Sequence, residues 1–476
     1  MTIAERFPHV SFGTSGLRAL VSDLQAETVA AYLYAFMQHM RSCHHLTDDA
    51  IVVVGMDLRP SSPGIAAVVC GVLQSLGYRA EFLGALPTPA LALRCLDLGV
   101  AGVMVTGSHI PFDRNGIKFY SPIGEILKED EQAILSSAVP EAWLSDLPKK
   151  FKMPPVIPAA EEAYIERYLH HFGPGPLAGW RIGIYEHSAV GRDLTKTVLT
   201  RLGATVIPLG RSDHFVPVDT EAVGDSELAL ARQWCAEHQL NALVSTDGDG
   251  DRPLVFDESG NFVRGDLLCL ACARALGVEA LAVPVSCNTA IEASGAFKRV
   301  LRTRIGSPYV ISGMHTLAED GFHGIAGFEA NGGFLLASPV AKLAALPTRD
   351  ALLPILSLLC AAAGDQQTVS TLIEALPARF THSDRLVNIP PTASFALLAR
   401  LTDDPVVRTA FFDGLGENIS IDTTDGLRLG FVNGDIIHLR PSGNAPELRC
   451  YAEADSEARA RALVAKYLSA AQAEIA

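Results

Sequence analysis

Residues 101–118 read AGVMVTGSHIPFDRNGIK, and the apolar, β-branched run at 103–105 stops abruptly at Thr106-Gly107-Ser108-His109. The run has the length and composition of a buried strand, so a serine is delivered to a strand end. Gly107 allows a sharp turn, Pro111 keeps that turn from running on into a helix, and Asn115-Gly116 makes a second turn before Lys118. His109 and Lys118 then face one small space. A hydroxyl flanked by two nitrogen groups suits a nucleophile or phosphate carrier served by proton-moving partners. An ordinary polar loop after a strand is the plainer alternative. The G-x-S-x-G elbow of hydrolases is excluded, because no glycine follows Ser108 at the required spacing.

The strand belongs to a longer alternation. Residues 26–40 carry a helical pattern, 51–55 a strand pattern, and Asp57-Leu58-Arg59-Pro60-Ser61-Ser62 offers hydroxyls to cap the next helix. Strand, helix, strand in this order predicts parallel pairing. Upstream, Phe12-Gly13-Thr14-Ser15-Gly16-Leu17-Arg18 is a glycine-opened loop able to turn backbone N–H groups and a guanidinium towards an anion. His44 and His45 close a predicted helix without carboxylate neighbours and read as surface residues rather than metal ligands.

Downstream, 149–158 (KKFKMPPVIP) has the proline and charge content of a linker. A second unit follows, with strands at 181–185 and 242–245 around a helix at 193–202. It ends in Thr246-Asp247-Gly248-Asp249-Gly250-Asp251-Arg252. Alternate residues of an extended loop project to one side, so the aspartates converge on one cation. Three carboxylates this close repel one another unless a cation or an arginine offsets them. An EF-hand is excluded even though Glu258 occupies the twelfth place, since Arg252 stands where the turn glycine belongs and strand-like sequence flanks the loop. A third unit over 260–376 places strands at 281–285 and 324–328 and ends the latter in Glu329-Ala330-Asn331-Gly332-Gly333, groups apt for sugar hydroxyls. Ligands bind outside the carboxyl ends of parallel strands, so the three polar loops are expected to line one cleft.

From about residue 378 the pattern changes to short strands punctuated by Asp425-Gly426 and Asn433-Gly434, closed by a helix over 456–475. Between those strands, Arg440-Pro441-Ser442-Gly443-Asn444-Ala445-Pro446 has the makings of a phosphate cradle.

Composition agrees with a globular chain of about three or four domains: 476 residues, 49% hydrophobic and 19% charged. The net charge of −15 argues against a general nucleic-acid partner but leaves room for an anionic substrate at a local arginine cluster. The nine cysteines are scattered in apolar runs, and Cys269 and Cys272 have no second pair to complete a zinc site. The N-terminus lacks a signal-like apolar segment, and the apolar run at 351–364 is too short to span a bilayer. A soluble, cytoplasmic protein without a membrane partner is expected.

FGTSGLR, TGSHIP with NGIK, DGDGDR and RPSGNAPELR occur in the order and at the approximate spacings of the α-D-phosphohexomutase family, which the chain resembles from residue 12 to about 450. The resemblance implies three similar α/β domains with mixed, largely parallel sheets and a smaller C-terminal α+β domain around a central cleft, divided at 1–152, 153–259, 260–377 and 378–476. It further implies that Ser108 carries a phosphoryl group and that Asp247, Asp249 and Asp251 hold Mg2+ against it, with Ser108 itself a ligand. Arg18 and Arg252 would offset charge, and His109 and Lys118 would move protons. Glu329, with Asn331 beside it, would meet the sugar, and Arg440, Ser442, Gly443 and Asn444 would grip the phosphate that is not transferred.

The implied activity interconverts hexose 6-phosphate and hexose 1-phosphate through a hexose 1,6-bisphosphate, which also serves as activator, in a protein that is a monomer or a dimer. The sequence departs from the family pattern at Asn331 and Gly333 in the sugar loop, where serine and histidine are frequent, at Ser286, where some members carry lysine, and at Ser307, where some carry histidine. Mannose leads as the sugar, ahead of glucose and glucosamine. A metal-dependent sugar phosphatase and a non-catalytic sugar-phosphate binder are the alternatives outside the mutase class.

Overall fold

The computed structural model describes residues 1–13, 15–44, 46–442 and 446–475. Its strands form four sheets. In the first, Ile51–Met56 pairs in parallel with both Arg79–Ala85 and Ala101–Val105, and the far edge of Ala101–Val105 takes Arg114–Ser121 antiparallel. The second and third sheets repeat the plan. Ala242–Thr246 is parallel to Arg181–His187 and antiparallel to Pro253–Phe256, and Ile325–Phe328 is parallel to Ala280–Pro284 and antiparallel to Phe334–Leu336.

Each predicted polar loop is therefore the hairpin by which a buried parallel strand turns into an antiparallel return strand. The three hairpins are closed alike, by Thr106 N–H to Gly116 O, Asp247 N–H to Arg252 O and Glu329 N–H to Gly333 O, at 3.0, 3.0 and 3.3 Å. The antiparallel halves are not legible in the sequence, because their apolar runs are short and lie beside glycine-rich turns that look like loop.

The fourth sheet is antiparallel throughout, in the order Phe380–Val387, Glu447–Ala454, Ile436–Pro441, Leu427–Phe431, Asn418–Asp422, with helix Glu457–Ile475 against it. Leu427, Leu429, Ile437, Leu439, Leu448 and Cys450 alternate onto one face and build its core. Arg428, His438 and Tyr451 share a row on the opposite face.

One hydrophobic core runs through the first three units, while the fourth has its own. Helix Leu352–Gly364 is apolar nearly all round because it is buried in the shared core against helix Gly265–Ala275, not because it meets lipid. Each buried leucine there contributes roughly 1.5–3 kcal/mol. Among the described residues no helix is long and apolar enough to cross a membrane.

Three local expectations change. The segment at 149–158 is not a solvated linker: Ile157 N–H donates to Phe82 O at 2.8 Å, and Phe151 packs against the first unit's core. Ser61 makes no side-chain cap on helix Ser62–Ser75. Instead it accepts from Asn115 Nδ2, and Ser62 Oγ donates to Asp57. In the glycine loop near the N-terminus, Gly13 N–H is spent on Gly16 O, and Thr14 lies outside the described residues, as does His45.

Candidate active site

Ser108 comes just after strand Ala101–Val105, beyond Thr106 and Gly107, and adopts φ 53°, the left-handed region that a β-carbon disfavours. The strain persists because the loop is held from several sides. Arg59, one of the largest fully buried side chains, donates from Nη1 to the carbonyls of Pro111 and Arg114 and from Nη2 to those of Ser108 and Ile110, at 2.8, 2.9, 2.9 and 2.5 Å. Asp57 accepts from Thr106 Oγ1 at 2.8 Å and from Gly107 N–H at 3.3 Å. Phe215 of the second unit lies under the Arg59 guanidinium at 4.0 Å. Sequence reasoning misses both Asp57 and Arg59 as part of the site. Their partners stand about fifty residues further on, and nothing local to Asp57-Leu58-Arg59 distinguishes it from a helix cap.

The aspartate loop meets Ser108 head on. Ser108 Oγ donates to Asp247 Oδ2 at 2.5 Å, and a β-carbon on Gly248 would lie 2.9 Å from the Ser108 carbonyl, so the two loops touch only because glycine stands there. The carboxylates converge because the backbone turns, with Gly250 at φ +73°, rather than through alternation along an extended loop as expected. Thr88, at the start of helix Thr88–Leu98, donates its N–H to Asp249 O at 2.9 Å and its Oγ1 to Asp249 Oδ2 at 2.6 Å. Glu258 is turned away to Ser370, which disposes of the calcium-loop likeness structurally.

Lys118 is buried with Nζ 2.6 Å from Asp249 Oδ2 and 2.5 Å from Asp251 Oδ2. Burial opposes its charge, but the two carboxylates outweigh it and hold the ammonium above its ordinary range. Asp247 moves the other way: burial, then the charges of Asp249 and Asp251, push its carboxyl well above the usual value. His109 lies 3.3 Å from Ser108 Oγ through Nδ1, which also accepts from Arg252 Nη1 at 2.9 Å. The Arg252 charge, followed by burial, lowers the imidazole to about 2 and keeps it neutral. Arg18 is pushed down to about 10 by burial and by the neighbouring charges of Arg252 and Arg349.

The carboxylate oxygens test whether a cation fits. Asp247, Asp249 and Asp251 each offer an oxygen within 4.8 Å of the others, and Asp249 Oδ1 and Asp251 Oδ1 are buried without a hydrogen-bond partner. Buried anionic oxygens with nothing to accept from are costly, and a hard divalent cation with oxygen ligands satisfies them. The donor set fits magnesium.

A cavity of about 270 Å³ opens beside these loops, lined by Arg18, His109, Arg252, Glu329, Arg428 and Tyr451 among others, so all four units contribute. Glu329 and Asn331 both line it. Asn331 Oδ1 braces the loop by accepting from Gly333 N–H at 2.9 Å. Arg440 and Ser442 do not line it: Arg440 Nε donates to Asp425 Oδ2 at 2.8 Å, and Gly443 and Asn444 lie outside the described residues. The fourth sheet instead presents Arg428, His438, Arg449 and Tyr451. The two-residue alternation of the strands groups these residues on one face but does not say that this face meets the cavity.

Arg349 is the largest omission. It is 1% exposed and donates through Nε and Nη2 to Asp251 Oδ2 at 3.2 and 2.8 Å and through Nη1 to Glu329 Oε2 at 3.0 Å. Cys269 and Cys272 are plain core groups, buried along one helix, and Cys269 Sγ donates to Gly332 O.

Comparison with known proteins adds a second line. Residues 9–142, 162–260 and 264–380 match the phosphoglucomutase/phosphomannomutase alpha/beta/alpha domains I, II and III, and residues 393–470 match the C-terminal domain of that family. A phosphomannomutase of Salmonella muenchen is 47% identical over 97% of this chain and 95% of its own length, and one of Sinorhizobium fredii is 43% identical over 96% and 98%. A phosphoglucomutase/phosphomannomutase family protein from Burkholderia thailandensis superposes with a TM-score of 0.76 at 19% identity, covering 97% of each chain.

Proposed function

The chain belongs to the phosphoglucomutase/phosphomannomutase family, and from that premise we propose that it interconverts mannose 6-phosphate and mannose 1-phosphate through a phosphorylated Ser108 and a mannose 1,6-bisphosphate. The observation that carries the reading is Ser108 Oγ, 1% exposed and 2.5 Å from Asp247, facing a cage of three aspartates in which Asp249 Oδ1 and Asp251 Oδ1 accept no hydrogen bond. The full-length identity to proteins named phosphomannomutase favours mannose over glucose or glucosamine.

Asp247, Asp249 and Asp251 would hold Mg2+, which when bound supplies positive charge to a phosphoryl group on Ser108. The chain's own groups do the rest. In the forward step the sugar O1 hydroxyl forms a bond to phosphorus as the bond from Ser108 Oγ breaks. The hydroxyl proton passes to His109 Nδ1, which Arg252 keeps unprotonated in the free enzyme. A dianion beside the imidazole favours its protonated form, which brings Nδ1 towards the range where it can hold that proton. Lys118 remains an ammonium, offsetting two carboxylates. The bisphosphate then turns end for end. Ser108 Oγ, protonated by His109 as it departed, gives that proton back to Nδ1 while it takes the phosphoryl group from O6, and His109 passes the proton to the departing O6 oxygen. Arg18, Arg252 and Arg428 face the cavity in which the sugar reverses, and Arg440 and Ser442 are proposed to bind the resting phosphate once Arg440 leaves Asp425. A hexose 1,6-bisphosphate would prime Ser108 from its plain form.

Turnover of mannose, glucose and glucosamine 6-phosphates, each with Mg2+ and a catalytic amount of the bisphosphate, tests the reading. Mannose should be converted fastest, and Ser108→Ala should lose activity by about three orders of magnitude or more. Full activity in Ser108→Ala overturns the mechanism. Phosphate release faster than isomerisation would make the protein a phosphatase.

A further inference from the structure

Strand Leu346–Asp350 forms the edge of the third sheet, yet three consecutive residues on it grip other units. Thr348 Oγ1 donates to Glu125 of the first unit at 2.5 Å. Arg349 reaches Asp251 of the second, and Asp350 accepts from Tyr164 Oη at 2.7 Å and from Tyr168 Oη. Of the three, only Arg349 touches the proposed site, and it does so on two loops at once.

Its geometry divides both carboxylates. On Asp251 the guanidinium takes Oδ2 and leaves Oδ1, a buried oxygen that accepts no hydrogen bond and has only the Arg252 charge at 3.8 Å, to the cation cage. On Glu329 it takes Oε2, while the side chain also lines the cavity. A planar fork with several fixed donors does this, and a lysine ammonium has no equivalent reach. The sugar loop is built around the same group. A β-carbon on Gly333 would lie 2.6 Å from Arg349 Cδ and 2.8 Å from Cγ, so the glycine that departs from the family pattern is the one that admits the arginine.

We propose that Arg349 is a positioning residue that couples the cation loop to the sugar loop, so that occupation of either site changes affinity at the other. The inference rests on the cation and sugar roles proposed above for Asp251 and Glu329. A sugar hydroxyl that draws on Glu329 alters how firmly the guanidinium holds Asp251, and a cation on Asp251 alters what remains for Glu329. By linkage the effect is reciprocal.

Mn2+ binding to the full-length, unphosphorylated protein, followed by electron paramagnetic resonance with and without saturating mannose 1-phosphate, tests this without turnover. The parent should show an Mn2+ affinity that shifts about fivefold or more with the sugar phosphate. Arg349→Met should bind both ligands with that shift abolished. Arg349→Lys keeps the charge but not the fork, and Gly333→Ala keeps every charge and only displaces the side chain. Both should reduce the shift to less than about twofold, which covers the case in which Arg349→Met does not fold. A shift that survives unchanged in the folded variants, or a parent that binds Mn2+ with no shift, overturns the proposal alone. A parent that binds no Mn2+ overturns the cation assignment and this inference with it.

Discussion

Ser108 is costly to place. Its left-handed backbone is sustained by Arg59, which makes four bonds to loop carbonyls. Arg59→Met would leave those carbonyls without their donor and buried Asp57 without the guanidinium 3.4 Å away, and should cost roughly 3–5 kcal/mol in urea unfolding, with kcat falling further than KM rises. Two buried histidines outside the aspartate cluster set an acid limit. His187, beside Thr246 O and Arg192, and His438, stacked on Tyr451 near Asp425, Arg428 and Arg440, are both lowered to about 4, chiefly by burial. The unfolded chain takes up these protons near pH 6.5, the folded one only near 4, so stability present above 6.5 declines as pH falls to 4. On the order of 3 kcal/mol is at stake at each histidine, and His438→Gln should flatten the decline seen in unfolding curves between those pH values.

At the scale of elements, one construction recurs: a parallel strand, a polar hairpin, an antiparallel return. The strands and their loops are legible in sequence because buried runs and close-set aspartates are local signals. Asp247-Gly248-Asp249-Gly250-Asp251 announces itself within five residues. Arg349 does not, because its partners Asp251 and Glu329 stand 98 and 20 residues away and meet it only through sheet topology. The fourth sheet's Arg428, His438 and Tyr451 face is hidden for a related reason, since an alternating strand does not say which face meets a cleft. The Arg428 guanidinium donates no hydrogen bond among the described residues and is lowered by burial and by Arg302, as suits a group awaiting an anion. Arg428→Ala should therefore raise KM for hexose phosphate about tenfold with kcat less affected, a difference of about 1.4 kcal/mol.

Across the whole molecule, four loops or faces on four units enclose one cavity, and the attachments between third and fourth units are polar. Thr289 N–H donates to Glu453 at 3.0 Å, Ile305 N–H to Asp425 Oδ2 at 3.0 Å, and Arg304 Nε to Thr424 O at 3.1 Å. Asp425 also holds Arg440 within the fourth unit, so one carboxylate serves both the attachment to the third unit and the arginine proposed to bind the resting phosphate. Asp425→Asn should weaken both, lowering KM for hexose phosphate and speeding proteolytic cleavage near residues 377–380; an unchanged KM would separate the two contacts. The fold class and the order of units are readable in advance from the four motifs. How the last unit sits is not, since no local pattern encodes a polar interface between distant segments. The separate core of that unit carries a thermodynamic consequence. A calorimetric scan should resolve two endotherms, a smaller one from the C-terminal piece melting by itself and a larger one from the fused remainder, which a substitution inside the smaller core, such as Leu439→Ala, should leave in place.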